Sequence, residues 1–371
     1  MATNDVVVVG GGIIGCTLAW RLAGEGARVT LLERGQPGTE ASWAAAGLLE
    51  PTAGSYGGAP LLAHWLSGLD GYPAFVAALQ EETGLPFEYR ITGRLLLALD
   101  QSDLPARHAH LRVQQEAGIP CEFWSAERVR SEEPNVPATT VGALYFPNHG
   151  MVDPRGLMAA LAVAATRRGV TVVTDTEVTG LVHEGERVVG VVGGKERWNA
   201  GATVIAAGSW SGGFGPLHVP VVPSKGQIVA FKMATPVCHH ILSLPGVGLS
   251  PRADGRLVFG ATHEDMGFDK RVTAGGIAHL LTGAIRLCPA IADLPVHETW
   301  AGLRPLVPSD RLPVLGSAVL GLYYATGHGG MGILSAPATA EALTGLILTG
   351  TSPLPIEEFS PLRFGAGAGD R

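Results

Sequence analysis

Val6-Val7-Val8-Val9-Gly10-Gly11-Gly12-Ile13-Ile14-Gly15 decides the fold: four β-branched residues run without a break into a glycine turn. A run of this kind suits a central strand covered on both faces of a parallel sheet, and residues 14–23 after it read as a helix. Residues 28–33 then read as a second strand, so a strand-helix-strand unit of about 30 residues opens the chain. Gly10, Gly12 and Gly15 give the spacing G-x-G-x-x-G at the junction, which permits a tight turn and aims N–H groups of the helix start at a pyrophosphate. Glu33 lies 18 positions after Gly15, at the end of the second strand, where a carboxylate accepts from ribose hydroxyls. Arg34 beside it fits either a 2'-phosphate contact or a solvated flank.

Past Gly84 the rhythm changes. Arg94-Leu95-Leu96-Leu97-Ala98-Leu99 is followed by a polar, partly helical stretch over 101–133 that contains Pro105 and Pro120. A helix over 157–166 and strands over 170–174 and 203–206 restore the α/β alternation. Strands over 227–231 and 256–260, around the Asp254-Gly255 turn, read as an antiparallel sheet. The chain closes with a strand over 322–326, a glycine turn and a helix over 333–348. The expected fold class is therefore α/β, with a Rossmann-like nucleotide domain over 1–86, 150–219 and 300–365. A substrate domain built on an antiparallel sheet is expected over 87–149 and 220–299.

With 371 residues, 46% of them hydrophobic and 16% charged, the chain can bury one large core or two moderate ones. A formal charge of -7 supplies no broad positive field for nucleic acid or an anionic membrane, and neither partner is expected. The apolar stretch 6–20 follows Asp5 rather than a basic segment and is too short to span a bilayer. Cys16, Cys121, Cys238 and Cys288 are far apart, which points to free thiols in a reducing cytoplasm and to no metal site. An assembly of identical copies stays open.

Ser42-Trp43-Ala44-Ala45-Ala46-Gly47-Leu48-Leu49 resembles the loop that lays bare main chain against the flavin in glycine oxidases and their D-amino-acid oxidase relatives. Small side chains are needed there, because only Ala and Gly let amides approach a planar ring closely. Similar motifs follow in order: Met151-Val152-Asp153-Pro154, the segment from Val204 to Ser211 with Ala207-Gly208-Ser209-Trp210, Ser224-Lys225-Gly226-Gln227 and Gly260-Ala261-Thr262. The last are Trp300-Ala301-Gly302-Leu303-Arg304-Pro305 and Gly327-His328 through Pro337. The ordered series covers nearly the whole chain.

The resemblance implies FAD rather than NAD, with Val178 beside the adenine. It also implies that Gly10, Gly12, Ile13, Ile14, Gly15, Glu33, Arg34, Ser42, Ala45, Ala46, Gly47, Leu48, Ala207, Gly208 and Trp210 hold the cofactor, together with Arg304. His328, Gly329, Gly330, Met331, Gly332 and Ile333 would form a helix start facing the flavin, where free N–H groups stabilise negative charge on the reduced ring. Some sarcosine-oxidising relatives attach flavin through a cysteine ahead of this turn. None lies after Pro289 here, so the FAD is expected to be non-covalent.

Arg304 is the expected catalytic-site anchor for a substrate carboxylate, since a guanidinium fork can take it in two parallel hydrogen bonds. A structural pairing with Asp310 or Glu298 is the competing reading. Leu48, Gly248, His263 and Gly330 are expected around the substrate. The reaction implied is oxidative deamination of glycine or a small D-amino acid by hydride transfer to flavin N5, giving a 2-oxo acid, ammonia and hydrogen peroxide.

Two departures bear on the substrate. Glycine oxidases usually carry a carboxylate-binding tyrosine where Gly248 stands, and Arg-Asn where Gly330-Met331 stands. Both changes predict a larger, more apolar cavity and bulkier D-amino acids. Arg252, His263 and Tyr324 could return a polar contact but read better as scaffold, and Tyr56 is weaker still. Rival functions are oxidation of sarcosine or another N-methyl amino acid, a dehydrogenase passing electrons to another acceptor, an RNA-modifying flavoprotein, and a flavin-binding protein without turnover. The pathway, imine supply for thiazole synthesis or D-amino-acid breakdown, is not readable from the residues.

Overall fold

The computed structural model describes residues 4–54, 57–215 and 217–365. Strand β1 (Asn4–Val9) runs into helix α1 (Ile13–Gly24) and returns through strand β2 (Val29–Leu32). Val6 and Val8 of β1 belong to one apolar cluster and Val7 and Val9 to another. Both faces are therefore covered, which is why the run shows no alternation of apolar and polar residues.

The sheet around β1 has the order Gly180–Glu184, Arg187–Gly193, Glu196–Ile205, β1, β2, Thr171–Val173. Its β1 neighbours are parallel, and Leu322–Thr326 joins parallel to Glu196–Ile205 with Val314–Val319 antiparallel outside it. The face carrying Val6 and Val8 is covered by α1, Pro154–Arg167, Gly58–Thr83 and Gly332–Thr349.

The 26-residue helix Gly58–Thr83 is not foreseen by the sequence reading, and it contains Gly68, Gly71 and Pro73. Packing explains its glycines. A Cβ at Gly68 would stand 2.3 Å from the Leu334 carbonyl oxygen, so the bare position lets this helix press against Gly332–Thr349. That second helix has the length and apolarity of a membrane span, yet most of it is buried inside the protein.

The second sheet has eight strands in the order Val296–Leu306, Val222–Lys232, Arg256–Gly260, Val247–Pro251, Ile241–Leu244, Arg94–Ala98, Gly142–Phe146, Glu122–Ser125. All its neighbours are antiparallel except Ile241–Leu244 with Arg94–Ala98. The strand Val296–Leu306 pairs along its length with Val222–Lys232, so Arg304 stands on this sheet, opposite Ser224. A short three-stranded sheet, with Leu48–Leu49 on one edge, connects the two.

Candidate functional site

One cavity of about 840 Å³ runs between the two large sheets. At one end it begins on the turn after β1. Gly10 has φ +108°, and a Cβ there would meet the Ala206 carbonyl oxygen at 2.4 Å. Gly15 is bare for a packing reason. A Cβ on it would stand 1.9 Å from the Gly10 carbonyl oxygen, so it packs α1 onto the turn and leaves the cavity wall to Gly10, Gly12, Ile13 and Ile14.

Glu33 is held rigidly at the cavity edge, accepting from the Gly11 N–H at 2.7 Å and the Gly35 N–H at 2.9 Å. Its neighbour Arg34 lies 3.6 Å over the Trp210 ring and pairs with Glu40 at 2.8 Å. Both Arg34 and Trp210 line the cavity, as do Ala207, Gly208 and Val178.

Two helices start at this cavity, α1 behind Gly12 and Gly332–Thr349 behind Met331. Neither helix is capped by the side chain of its own N-cap residue, and neither first turn carries an acid. Ile13 donates its N–H to Ser42 Oγ at 2.9 Å. Gly329, Gly330, Met331, Gly332 and Ile333 line the wall at the second start. Two positive helix ends and a fixed carboxylate suit a group with a pyrophosphate, a ribose and an electron-accepting ring. The residues present therefore fit FAD.

The loop between these ends is braced from behind. Trp300 Nε1 donates to the Ala44 carbonyl at 3.0 Å, and the Arg252 guanidinium donates to the Ala46 carbonyl and, at 2.8 Å, to that of Val152. Gly47 has φ +70°, and a Cβ would come within 2.1 Å of the Val152 carbonyl oxygen. Ala45, Ala46, Gly47 and Leu48 all line the cavity, the first three with at most a methyl group as side chain. Arg252 is absent from the lining; it is the prop of the loop rather than a substrate contact. Tyr324 is buried and spends its hydroxyl on the Phe214 carbonyl. Tyr56 lies outside the described residues.

Arg304 reaches the cavity from the antiparallel sheet. Its Nη1 donates to the carbonyls of Thr262 at 3.1 Å and Lys225 at 3.4 Å, and its guanidinium lies against Gly226, where a Cβ would be only 2.3 Å from Nη2. The competing partners are engaged elsewhere: Glu298 pairs with Arg155 at 3.0 Å and Asp310 with Arg363 at 2.9 Å. His263 and Gly248 share the wall. Partial desolvation, with Arg304 and Arg311 nearby, holds the His263 imidazole below its ordinary range. His328 is buried, shares Thr339 Oγ1 with His64 at 3.0 Å each, and is pushed down to about 3 by burial, then by His64. It is a neutral ring at pH 7.

The lining also carries a pair of charged side chains. Glu50 and Arg94, which the sequence reading leaves out, both face the cavity and lie 3.4 Å apart. Their signal in the sequence is weak: Glu50 directly follows the small-residue loop, and Arg94 is a charge opening an apolar run.

The family profile described as FAD dependent oxidoreductase matches residues 5–346. A glycine oxidase of Pseudomonas aeruginosa is 35% identical over 364 residues, covering 95% of this chain and 96% of its own. The bifunctional protein ThiO/ThiG of Trichormus variabilis is 33% identical over 98% of this chain, but the chain spans only 55% of that relative's length. Among solved structures, the glycine oxidase of Geobacillus kaustophilus superposes with a TM-score of 0.92 at 30% identity, covering 100% of both chains.

Proposed function

The chain belongs to the FAD dependent oxidoreductases, and from that premise we propose that it oxidises glycine or a small D-amino acid at the carbon bearing the amine. The chemistry that FAD supplies when bound is acceptance of a hydride at ring N5 and return of the electrons to oxygen as hydrogen peroxide. The remaining tasks fall to the chain. The observation that carries the reading is the continuity of one cavity from Glu33 and the two helix N-termini, past the small-residue loop 45–47, to the guanidinium of Arg304.

In this reading Arg304 holds the substrate carboxylate with its fork, while the Thr262 and Lys225 carbonyls fix the direction of the fork. A carboxylate clamped at one end leaves the α-carbon hydrogen to be turned toward the loop 45–47, and orientation of this kind supplies several kcal/mol of barrier lowering. With FAD bound, the start of Gly332–Thr349 would offer its N–H groups to the negative charge that collects on the reduced ring. Neutral His263 and neutral His328 add no competing cation near the amine, which reacts in its unprotonated form so that its lone pair supports the developing iminium. The imine then takes up water, giving the 2-oxo acid and ammonia.

A peroxide-coupled screen of glycine, sarcosine and D- and L-amino acids tests the proposal, with anaerobic bleaching of the bound flavin as the acceptor-independent readout. Turnover of sarcosine alone would move the assignment to N-methyl amines; bleaching without peroxide would move it to a dehydrogenase. If glycine, D-alanine, D-proline and sarcosine all leave visibly bound flavin oxidised, the proposal fails. Arg304→Ala is expected to raise KM at least about tenfold, since hydrogen bonds from a charged donor contribute about 1.5–3 kcal/mol.

A further inference from the structure

We propose that the Glu50–Arg94 pair makes the far wall of the cavity a recognition site for a substrate side chain ending in a neutral group that both donates and accepts hydrogen bonds, foremost a carboxamide. The inference rests on the amine-oxidising reading and adds the substrate class to it.

The sheet register lays out the path. Ile228 is opposite Gly260, Gly260 opposite Gly248, and Gly248 opposite Ser243, so these four share one face of the antiparallel sheet. The two glycines in the middle carry no side chain. Between Gly260 and Ser243 the sheet face spans about two strand spacings, on the order of 10 Å, and the Ile228 side chain leans over its Gly260 end, Cγ1 2.8 Å from where a Cβ would be. Arg304 stands beyond the Gly260 end, bonded to Thr262. Leu48 closes over the middle, with a Cδ1 3.2 Å from where a Gly248 Cβ would be. A tyrosine at 248 would stand between the carboxylate anchor and the far wall; with glycine there, the divide is left to the side chains of Leu48 and Ile228.

At that wall Arg94 is fixed by Nε donating to Ser243 Oγ at 2.8 Å, while its Nη1 stands 3.4 Å from Glu50 Oε2. Glu50 Oε1 is buried, with no hydrogen-bond partner among the described residues. An orphaned carboxylate oxygen in a low-dielectric wall is costly, and a ligand N–H or O–H would satisfy it. The neighbouring guanidinium offers donors to an acceptor on the same ligand. An ammonium would be drawn by Glu50 but repelled by Arg94, and a carboxylate the reverse. A carboxamide meets both members of the pair without adding charge, and the apolar walls of Leu48 and Val247 accommodate the methylenes between.

The test uses the FAD-loaded enzyme and four four-carbon acids that lack an α-amine and so cannot turn over: butanoate, succinate, 4-aminobutanoate and succinamate. Binding is read from the shift of the flavin absorbance and, independently, from thermal stabilisation. Succinamate is expected to bind about tenfold more tightly than butanoate, the equivalent of one to two net hydrogen bonds, and more tightly than both charged acids. In the double variant Glu50→Leu with Arg94→Met, which removes both charges together, the preference should fall below about threefold. The same order is expected in kcat/KM for D-asparagine against D-aspartate and D-2-aminobutyrate. Equal affinities, or a charged acid or butanoate binding best to the unaltered enzyme, overturn the assignment even if the double variant fails to fold. Such a ranking with flavin still bleached by glycine sinks the side-chain site and leaves the amine-oxidising reading standing; absence of bleaching by any amino acid sinks that reading instead, and the acid ranking still decides the site.

Discussion

Gly226→Ala probes the anchor without touching the substrate. The glycine lies in an extended strand, so alanine is allowed by the backbone, but its Cβ would stand 2.3 Å from Arg304 Nη2, 2.5 Å from Nη1 and 2.6 Å from Cζ. Opening that contact from 2.3 Å to an ordinary 3.4 Å moves the guanidinium by about 1 Å. The shift breaks the bond from Nη1 to the Thr262 carbonyl and turns the fork away from the position it holds. Misplacement of that size in a positioning group reduces rate by up to about 10²-fold. We expect kcat/KM for the best amino acid to fall between about 10- and 100-fold, mostly in KM. Stability should change little, because a flexible side chain moves at the cost of about one hydrogen bond, a Tm shift of about 3 °C or less. The assay is steady-state peroxide release over a substrate series, with flavin content and melting temperature measured on the same preparation. An unchanged kcat/KM, with flavin fully bound, would refute the argument that the fork orientation set by Gly226 and Thr262 positions the substrate.

Other outcomes follow from the same geometry. Gly47→Ala, at φ +70° and with its Cβ 2.1 Å from the Val152 carbonyl oxygen, should destabilise by about 1–3 kcal/mol and yield protein depleted in FAD, measured as the ratio of flavin to protein absorbance. Arg252→Met leaves the Ala46 and Val152 carbonyls without their donors; a lower Tm and weaker FAD retention are expected, whereas a Tm equal to the parent's would remove the bracing role. His64 and His328 are pushed down to about 4 and about 3, chiefly by burial, so the unfolded chain binds protons that the folded chain refuses between those values and about 6.5. Stability is therefore full above pH 6.5 and falls as the pH drops below it, each ring contributing on the order of 1 kcal/mol per pH unit. Chemical denaturation at pH 7, 6 and 5 reads the slope, and His64→Gln should flatten it.

The parts legible beforehand are those whose physics is local. Four valines in succession, a glycine turn and a carboxylate 18 residues on depend on backbone reach and strand length alone, and β1, α1 and β2 lie within one or two residues of the expected bounds. The small-residue loop 44–47 was equally readable, because the absence of side chains is itself the signal. The spacing marks Gly15 as part of the motif, while its close contact with the Gly10 carbonyl is a packing matter that only the structure shows. Gly58–Thr83 went unseen because local propensity penalises glycine and proline within a helix, whereas a neighbouring helix pressing on Gly68 rewards their bareness.

By itself, then, the chain order determined the opening strand-turn-helix-strand unit, written in consecutive residues, while the small-residue loop and Arg304 are legible through their resemblance to a known family. Only the tertiary structure decided what stands at the far wall. Glu50, Arg94 and Ser243 come from three distant segments, and their meeting depends on the register of Ile241–Leu244 against Arg94–Ala98 and on the edge strand Leu48–Leu49. Register across non-local strands is set by which side chains must share a buried face, and no window of neighbouring residues contains that information.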